Sequence, residues 1–235
     1  MDDLNQDHKD ASATITKWHS LSAGVEHIFL KIKGATHSHQ AGQYLMILVA
    51  DLWLPFSIAN DATSEKNSTQ HVELFIRMRH SEMLEILKQG FSKKIKWQVR
   101  YPQGRMFLPT FPTPLLFFAF GTGISPMRSF LQRCVAIKWT QPIQCIWATA
   151  HPNRFFLDDF FVEMQKYLKL DMRRIVCASN DTDVLIEQVF AEIPKNQRMH
   201  NTHVYLAASY EAVIKINNEL RGRGWEEQYI HSDLI

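Results

Sequence analysis

Apolar and polar positions change rhythm once along this chain. Over about the first 110 residues the apolar positions come in short runs broken by turns. Ala13 to Trp18 and Val25 to Lys33 read as strands, the second alternating through Ile28, Leu30 and Ile32. Ala41-Gly42-Gln43 turns the chain into Tyr44 to Ala50, a strongly apolar strand, and the stretch from Leu54 to Asn60 follows it. Polar residues from Asp61 to Gln70 predict a loop. Val72 to Met78 predicts a strand with Leu74, Ile76 and Met78 on one face and Glu73, Phe75, Arg77 and Arg79 on the other. Ser81 to Lys88 reads as a short helix, capped by Ser81, striped by Met83, Leu84 and Leu87, and stopped by Gly90. Ile95 to Tyr101 is a further strand, and the residues from Pro102 to Arg105 form a turn. Many short strands with one small helix predict an antiparallel β-barrel over residues 12–110.

Pro109, Pro112 and Pro114 mark the boundary, because prolines at that density continue neither a ladder nor a helix. Beyond them, candidate strands at Leu115–Phe120, Ile143–Thr149, Arg174–Ala178 and His203–Ala207 alternate with helical patterns near 126–138, 157–168, 182–192 and 209–221. This alternation predicts an α/β unit over residues 111–235, a parallel sheet covered by helices. The centre of the pattern is the stretch from Pro114 to Gln132. Leu115 to Phe120 is continuously apolar, as in a strand buried on both faces. Gly121 and Gly123 permit a tight turn and a close backbone approach, Ser125 reads as the N-cap, and Pro126 suits the first helical position. A strand, a glycine turn and a helix N-terminus together make an anion site, and a dinucleotide pyrophosphate is its usual occupant.

The longer string Gly121-Thr122-Gly123-Ile124-Ser125-Pro126-Met127-Arg128 resembles the nicotinamide-nucleotide turn of the ferredoxin–NADP reductase superfamily. Three further stretches match in the same order: Ala41 to Tyr44 looks like the strand leading to the flavin, Leu54 to Ala59 like the flavin signature, and Val204 to Glu211 like the strand, turn and helix beside the nicotinamide. The chain is most similar to small bacterial NAD(P)H:flavin reductases over about residues 12–235. The resemblance implies a flavin-binding barrel, a nucleotide-binding α/β domain, and hydride transfer from NADH or NADPH to FAD, FMN or riboflavin, held loosely or used as a substrate. It implies that Leu54, Pro55, Phe56 and Ser57 border the flavin. It also implies that Gly121, Thr122, Gly123, Ile124, Ser125 and Pro126 hold the nucleotide, and that Ala208 and Ser209 flank the nicotinamide. Pro55 and Phe56 supply a flat apolar wall, and Ser57 is the expected catalytic group, a hydroxyl for the ring nitrogen that accepts hydride. Orientation supplies most of such catalysis, so no acid–base pair or nucleophile is needed.

Three positions depart from the resembled pattern. Leu54 stands where the family carries an arginine that holds the flavin, Phe120 where it usually has a third glycine, and Ala208 where it usually has glycine. Arg77 and Arg79 read either as replacements for the missing cation or as an exposed barrel face. His151 and Arg154 read either as contacts to the adenosine ribose and its phosphate or as a solvated loop, so the choice between NADH and NADPH stays open. Two alternatives accompany the flavin-reductase expectation. One is an FAD-containing reductase component of a multi-protein electron-transfer or oxygenase system, with an electron-acceptor protein as partner. The other is a non-catalytic relative in which the three departures have removed binding.

Composition narrows the field further. A 46% hydrophobic, 21% charged chain of 235 residues is globular and long enough for two cores. Its formal net charge of +2 gives no argument for nucleic acid. No apolar run approaches the roughly 20 residues that span a bilayer. The polar, acidic first residues, read as a loose leader, are unlike a secretory signal, so the expected location is the cytoplasm. Cys134, Cys145 and Cys177 lack the spacing of a metal or iron–sulfur site and read as buried reduced thiols. His37 and His39 lack a partnering carboxylate cluster, so no metal site is expected.

Overall fold

The structure is a computed structural model that describes residues 11–21, 24–62, 69–77, 81–178, 181–193 and 201–235. The predicted leader up to residue 10, most of the loop after Asp61, Met78, Arg79 and the Ser81 side chain lie outside the described residues. The first half is a six-stranded antiparallel sheet built from β1 (Ala11–Ser20), β2 (Glu26–Lys33), β3 (Tyr44–Val49), β4 (Leu52–Ser57), β5 (Thr69–Ile76) and β6 (Trp97–Gln103), in the order β4-β3-β6-β1-β2-β5. The edge strands meet through an antiparallel bridge between Ile58 and Leu74 and an Ala59 N–H donated to Glu73 O at 2.8 Å, which closes the sheet on itself. The alternation read from the sequence is the alternation of burial: Ile28, Leu30, Ile32, Leu45, Ile47, Leu74 and Val99 fill the barrel.

One helix, α1 (Ser81–Ser92), lies across the barrel with Leu87 buried. Gly90 was expected to stop this helix, and the structure corrects that. The helix runs past it, and Gly90 is there because Trp97 packs against its α-carbon, where an added Cβ would lie 2.1 Å from Cζ2. The stop comes two residues after the helix end, at Lys94, whose φ of 52° breaks the helical path.

The second half is a parallel sheet of β7 (Leu115–Phe120), β8 (Ile143–Thr149), β9 (Leu170–Val176), β10 (His203–Ala207) and the two-residue β11 (Ile230–His231), in the order β11-β10-β7-β8-β9. Helices α2 (Ile124–Ala136), α3 (Asp158–Met164), α4 (Thr182–Ala191) and α5 (Tyr210–Gly222) cover it. The strand β9 begins four residues earlier than the pattern indicated and ends two earlier. It is an edge strand whose Arg173 and Arg174 are exposed, so it lacks a continuous apolar run. The chain steps outward from β7 to β8 and β9, then returns to place β10 on the other side of β7. Its topological switch point therefore lies at the carboxyl ends of β7 and β10, which is where open α/β sheets bind ligands.

On one face of the sheet, Phe118, Leu206, Val213 and Phe190 form a core of their own. On the other, Phe117, Phe130, Trp147 and Tyr205 form a core that continues into barrel residues Ala41, Ala59, Phe75 and Met106. That second core joins the two halves. No helix among the described residues is long and apolar enough to cross a membrane.

Candidate functional site

The two halves enclose a cleft of about 590 Å³. Its barrel wall is Tyr44 and Met46 of β3, Pro55, Phe56 and Ser57 of β4, the Phe75–Arg77 end of β5, and Met106. The opposite wall is Phe120, Thr122, Gly123, Ser125 and Pro126 at the end of β7, with Leu206 to Ser209 at the end of β10. Ser232, Asp233 and Leu234, after β11, close a third side.

The glycine turn is built for close approach. Residues Gly121–Gly123 form a single 3₁₀ turn, and Gly121 has φ +57° with no heavy atom within 4 Å of where a Cβ would stand. Gly123 is required for packing, because a Cβ there would lie 2.0 Å from Ala207 O. This contact brings the β7 and β10 turns together. Ser125 is not the cap that its position in the sequence suggested. The helix starts at Ile124 with Gly123 as N-cap and no side-chain cap, Pro126 is its third residue, and Ser125 Oγ donates back to Thr122 O at 2.8 Å. The start of α2 therefore carries no side-chain cap, and its Ser125 and Pro126 line the cleft. The second helix at the cleft, α5, is capped by Ser209, whose Oγ accepts from Ala212 N–H at 3.4 Å. Both helices are 13 residues long, so each directs a full dipole toward the cleft.

Nine of the twelve site residues expected from sequence line this one cleft: Pro55, Phe56, Ser57, Thr122, Gly123, Ser125, Pro126, Ala208 and Ser209. Three do not. Leu54 packs against the barrel core, Ile124, the first residue of α2, is fully buried, and Gly121 turns its carbonyl to accept the Trp147 indole N–H at 2.9 Å. Phe120 lines the cleft, so the departure from glycine there narrows this site directly. Arg77 lines it too. His151 and Arg154 border a separate surface depression on the 3₁₀ turn after β8.

Sequence reasoning missed Met106 and the segment Ser232 to Leu234. Asp233 Oδ1 accepts from Arg105 N–H at 3.1 Å. Burial raises its carboxyl above the usual range against the pull of the Arg105 and Met106 amides. Burial, and then Asp233, also raises the Tyr44 hydroxyl. The cleft thus holds a carboxyl, raised by burial, beside the Tyr44 phenol. A lone aspartate after a two-residue strand carries no periodicity, so nothing in the sequence marked it. The thiols do not line the cleft: Cys134, Cys145 and Cys177 are all buried, and burial pushes the Cys134 thiol up to about 12.

No family model matches the chain. Among curated proteins it is 30% identical over 120 residues to a probable flavin reductase of Photobacterium leiognathi, an alignment covering 51% of each chain. Alignment to the NAD(P)H-flavin reductase of Vibrio harveyi is 25% identical and covers 73% of this chain and 76% of that one. Reductase component 1 of terephthalate 1,2-dioxygenase from a Comamonas species is 31% identical over 209 residues, 86% of this chain and 61% of the relative. The chain spans about half the length of the flavin reductases of Photobacterium leiognathi and Aliivibrio fischeri that it matches, 51% and 53% respectively.

Among solved structures, a ferredoxin-NADP+ reductase from Plasmodium falciparum superposes with a TM-score of 0.75 at 16% identity, covering 97% of both chains. The FAD/NAD-binding domain of a nitric oxide dioxygenase from Vibrio cholerae does so at 0.74 and 13%, covering 95% of this chain and 98% of that one. The chain has curated homologues named flavin reductase and NAD(P)H-flavin reductase, and its two-sheet fold is that of ferredoxin–NADP reductase-like proteins.

Proposed function

We propose that this chain is an oxidoreductase that transfers a hydride from NADH or NADPH to a flavin in the cleft between its two halves. The observation that carries the reading is the convergence of a flat apolar wall with a hydroxyl, Pro55-Phe56-Ser57, on a glycine turn and two helix N-termini across one cleft. The residues present fit both molecules. About 590 Å³ is within the usual range for a small-molecule site, the barrel wall suits a planar ring, and the start of α2, without a side-chain cap at the cleft, suits a pyrophosphate.

When bound, the flavin supplies the ring that accepts the hydride and a proton. The chain's own residues bind, orient and exclude water. Pro55 and Phe56 desolvate one ring face, and Ser57 offers its hydroxyl at the end of β4 to the ring's central nitrogen. Thr122, Gly123 and Ser125 anchor the nucleotide phosphates at the start of α2, with its dipole, and Pro126 lines the wall beside them. Ala208 and Ser209 flank the nicotinamide. Asp233 adds a carboxyl to the same cleft, held by the Arg105 N–H. Leu54 packs against the barrel core and provides no cation at its position, which favours a flavin exchanged as a substrate over one retained.

The test is oxidation of NADH and NADPH by the purified protein with riboflavin, FMN or FAD added or omitted. Turnover that depends on added flavin supports the reading, and none with any pair contradicts it. A second reading is favoured by the alignment with the terephthalate dioxygenase reductase component over 86% of this chain. In it the chain keeps FAD and passes electrons to a separate acceptor protein. Yellow protein after purification, active without added flavin, would select that reading.

A further inference from the structure

The two walls of the cleft belong to different halves of the molecule, so something must fix their separation. Helix α2 makes the connection. Its N-terminus is the glycine turn, and its flank lies on the barrel, where Gln132 Oε1 accepts from Asp61 N–H at 2.9 Å and Ser129 Oγ from Gly42 N–H at 3.4 Å.

The strongest crossing is Arg128, the fifth residue of α2. Its Nη1 donates to Ala59 O at 2.6 Å and stands 3.2 Å from Glu73 Oε2. Its guanidinium lies 5.6 Å from the Phe75 ring and 5.2 Å from the Phe160 ring. Ala59 follows Ser57 by two residues, and Phe75 lines the cleft, so one guanidinium ties the flavin-side wall to the helix that carries the nucleotide turn. Glu73 is anchored in turn by His27, whose Nε2 lies 2.9 Å from Oε2, with the His27 ring packed 4.6 Å from Phe75.

This arrangement is poorly explained by stability alone. The Arg128 and Glu73 side chains are 13% and 23% exposed, and Arg128 Nε is buried without a hydrogen-bond partner. Burial works against the guanidinium charge. Burial likewise pushes the Glu73 carboxyl up, but His27 and Arg128 outweigh it and hold that carboxyl below its usual range. Buried ion pairs seldom stabilise more than apolar side chains of the same volume would, and their best-attested use is fixing register. A slot between two phenylalanine rings could hold methionine. The directional group present instead ties a backbone carbonyl and a carboxylate to one geometry, and hydride transfer is sensitive to such geometry because a displacement of about 1 Å costs on the order of 100-fold.

We propose that Arg128 is a positioning residue that, through Ala59 O and Glu73, sets the separation and tilt of the glycine turn against the Ser57 wall and so the rate of hydride transfer. This rests on the reductase reading above. The test compares the parent with Arg128→Met, Arg128→Lys and the double variant Arg128→Met/Glu73→Gln, by single-turnover hydride transfer, KM for flavin and nucleotide, the deuterium isotope effect on turnover, and thermal midpoint.

Arg128→Met should slow the hydride step about 10- to 100-fold and raise the isotope effect, while both KM values stay within about threefold. Arg128→Lys, which keeps the charge and loses the fork, should fall between. The double variant, which also removes the Glu73 charge that Arg128 balances, should regain the thermal midpoint without regaining the rate. A folded Arg128→Met protein with an unchanged hydride step would overturn the proposal. So would a double variant whose rate recovers in step with its thermal midpoint. If the parent itself shows no turnover, it is the reductase reading that fails. The register claim is then judged on a crystal structure of Arg128→Met, where an unaltered separation of Ser57 from Gly123 overturns it.

Discussion

Ser57 and Gly123 face each other across the cleft for different physical reasons, and substitutions separate them. Ser57 contributes one hydroxyl, so Ser57→Ala should leave the fold intact and slow flavin reduction by about 100- to 1000-fold, the usual loss for one catalytic hydrogen-bond donor, as single-turnover kinetics would show. Gly123 contributes the absence of a side chain. Gly123→Ala puts a methyl 2.0 Å from Ala207 O, where backbone must move, and should lower stability by about 1–3 kcal/mol in denaturant unfolding. Gly121→Ala meets no atom within 4 Å and suffers only the strain of φ +57°, about 1–2 kcal/mol. A larger loss at Gly121 than at Gly123 would contradict this assignment of roles. Residues contiguous with a motif were legible in the sequence. Met106 and Asp233 were not, because they reach the cleft from segments without periodicity and are held there by tertiary contacts such as the Arg105 N–H to Asp233 bond. Leu54 shows the converse: its place in the motif is clear, but the barrel core takes its side chain.

The elements that make the site are two strand–turn–helix units, β7 to α2 and β10 to α5, side by side because β10 returns across β7. Both strands were legible to the residue, since a strand buried on both faces is an unbroken apolar run. Edges were harder to read: β9 is charged and β11 has two residues, too short for any pattern. The edge also carries a titrating device. His203 Nδ1 and His231 Nε2 lie 2.8 Å apart with their rings stacked, and Tyr205 and Tyr229 pack beside them. Burial and then His203 lower His231 to about 4, and burial lowers His203 as well. A histidine whose folded pKa lies below its ordinary value of about 6.5 leaves the unfolded chain binding more protons between the two. Stability should therefore be flat above about pH 7 and fall as pH drops from 6.5 toward 4, as the urea midpoint would report. His231→Asn should flatten that slope, and an unchanged slope would remove the pair as its cause.

At the scale of the whole molecule, the two halves share one core, and the cleft exists because α2 serves both. The succession of an antiparallel sheet and a helix-covered parallel sheet was legible from the change of rhythm along the chain. How the halves meet was not, because Arg128 and Ala59 end two separate matched stretches with nothing in the sequence to show that they touch, and Glu73 reads as an ordinary strand residue. The central claim is that this cleft carries a hydride from a reduced nicotinamide to a flavin. The most direct measurement is anaerobic mixing of the protein, a flavin and NADH or NADPH, following loss of the oxidised flavin's colour. Rapid bleaching that requires the protein, with deuterium at the transferring position of the nucleotide slowing it, is the predicted result. Bleaching no faster than in the protein-free mixture, for riboflavin, FMN and FAD alike, would contradict the account.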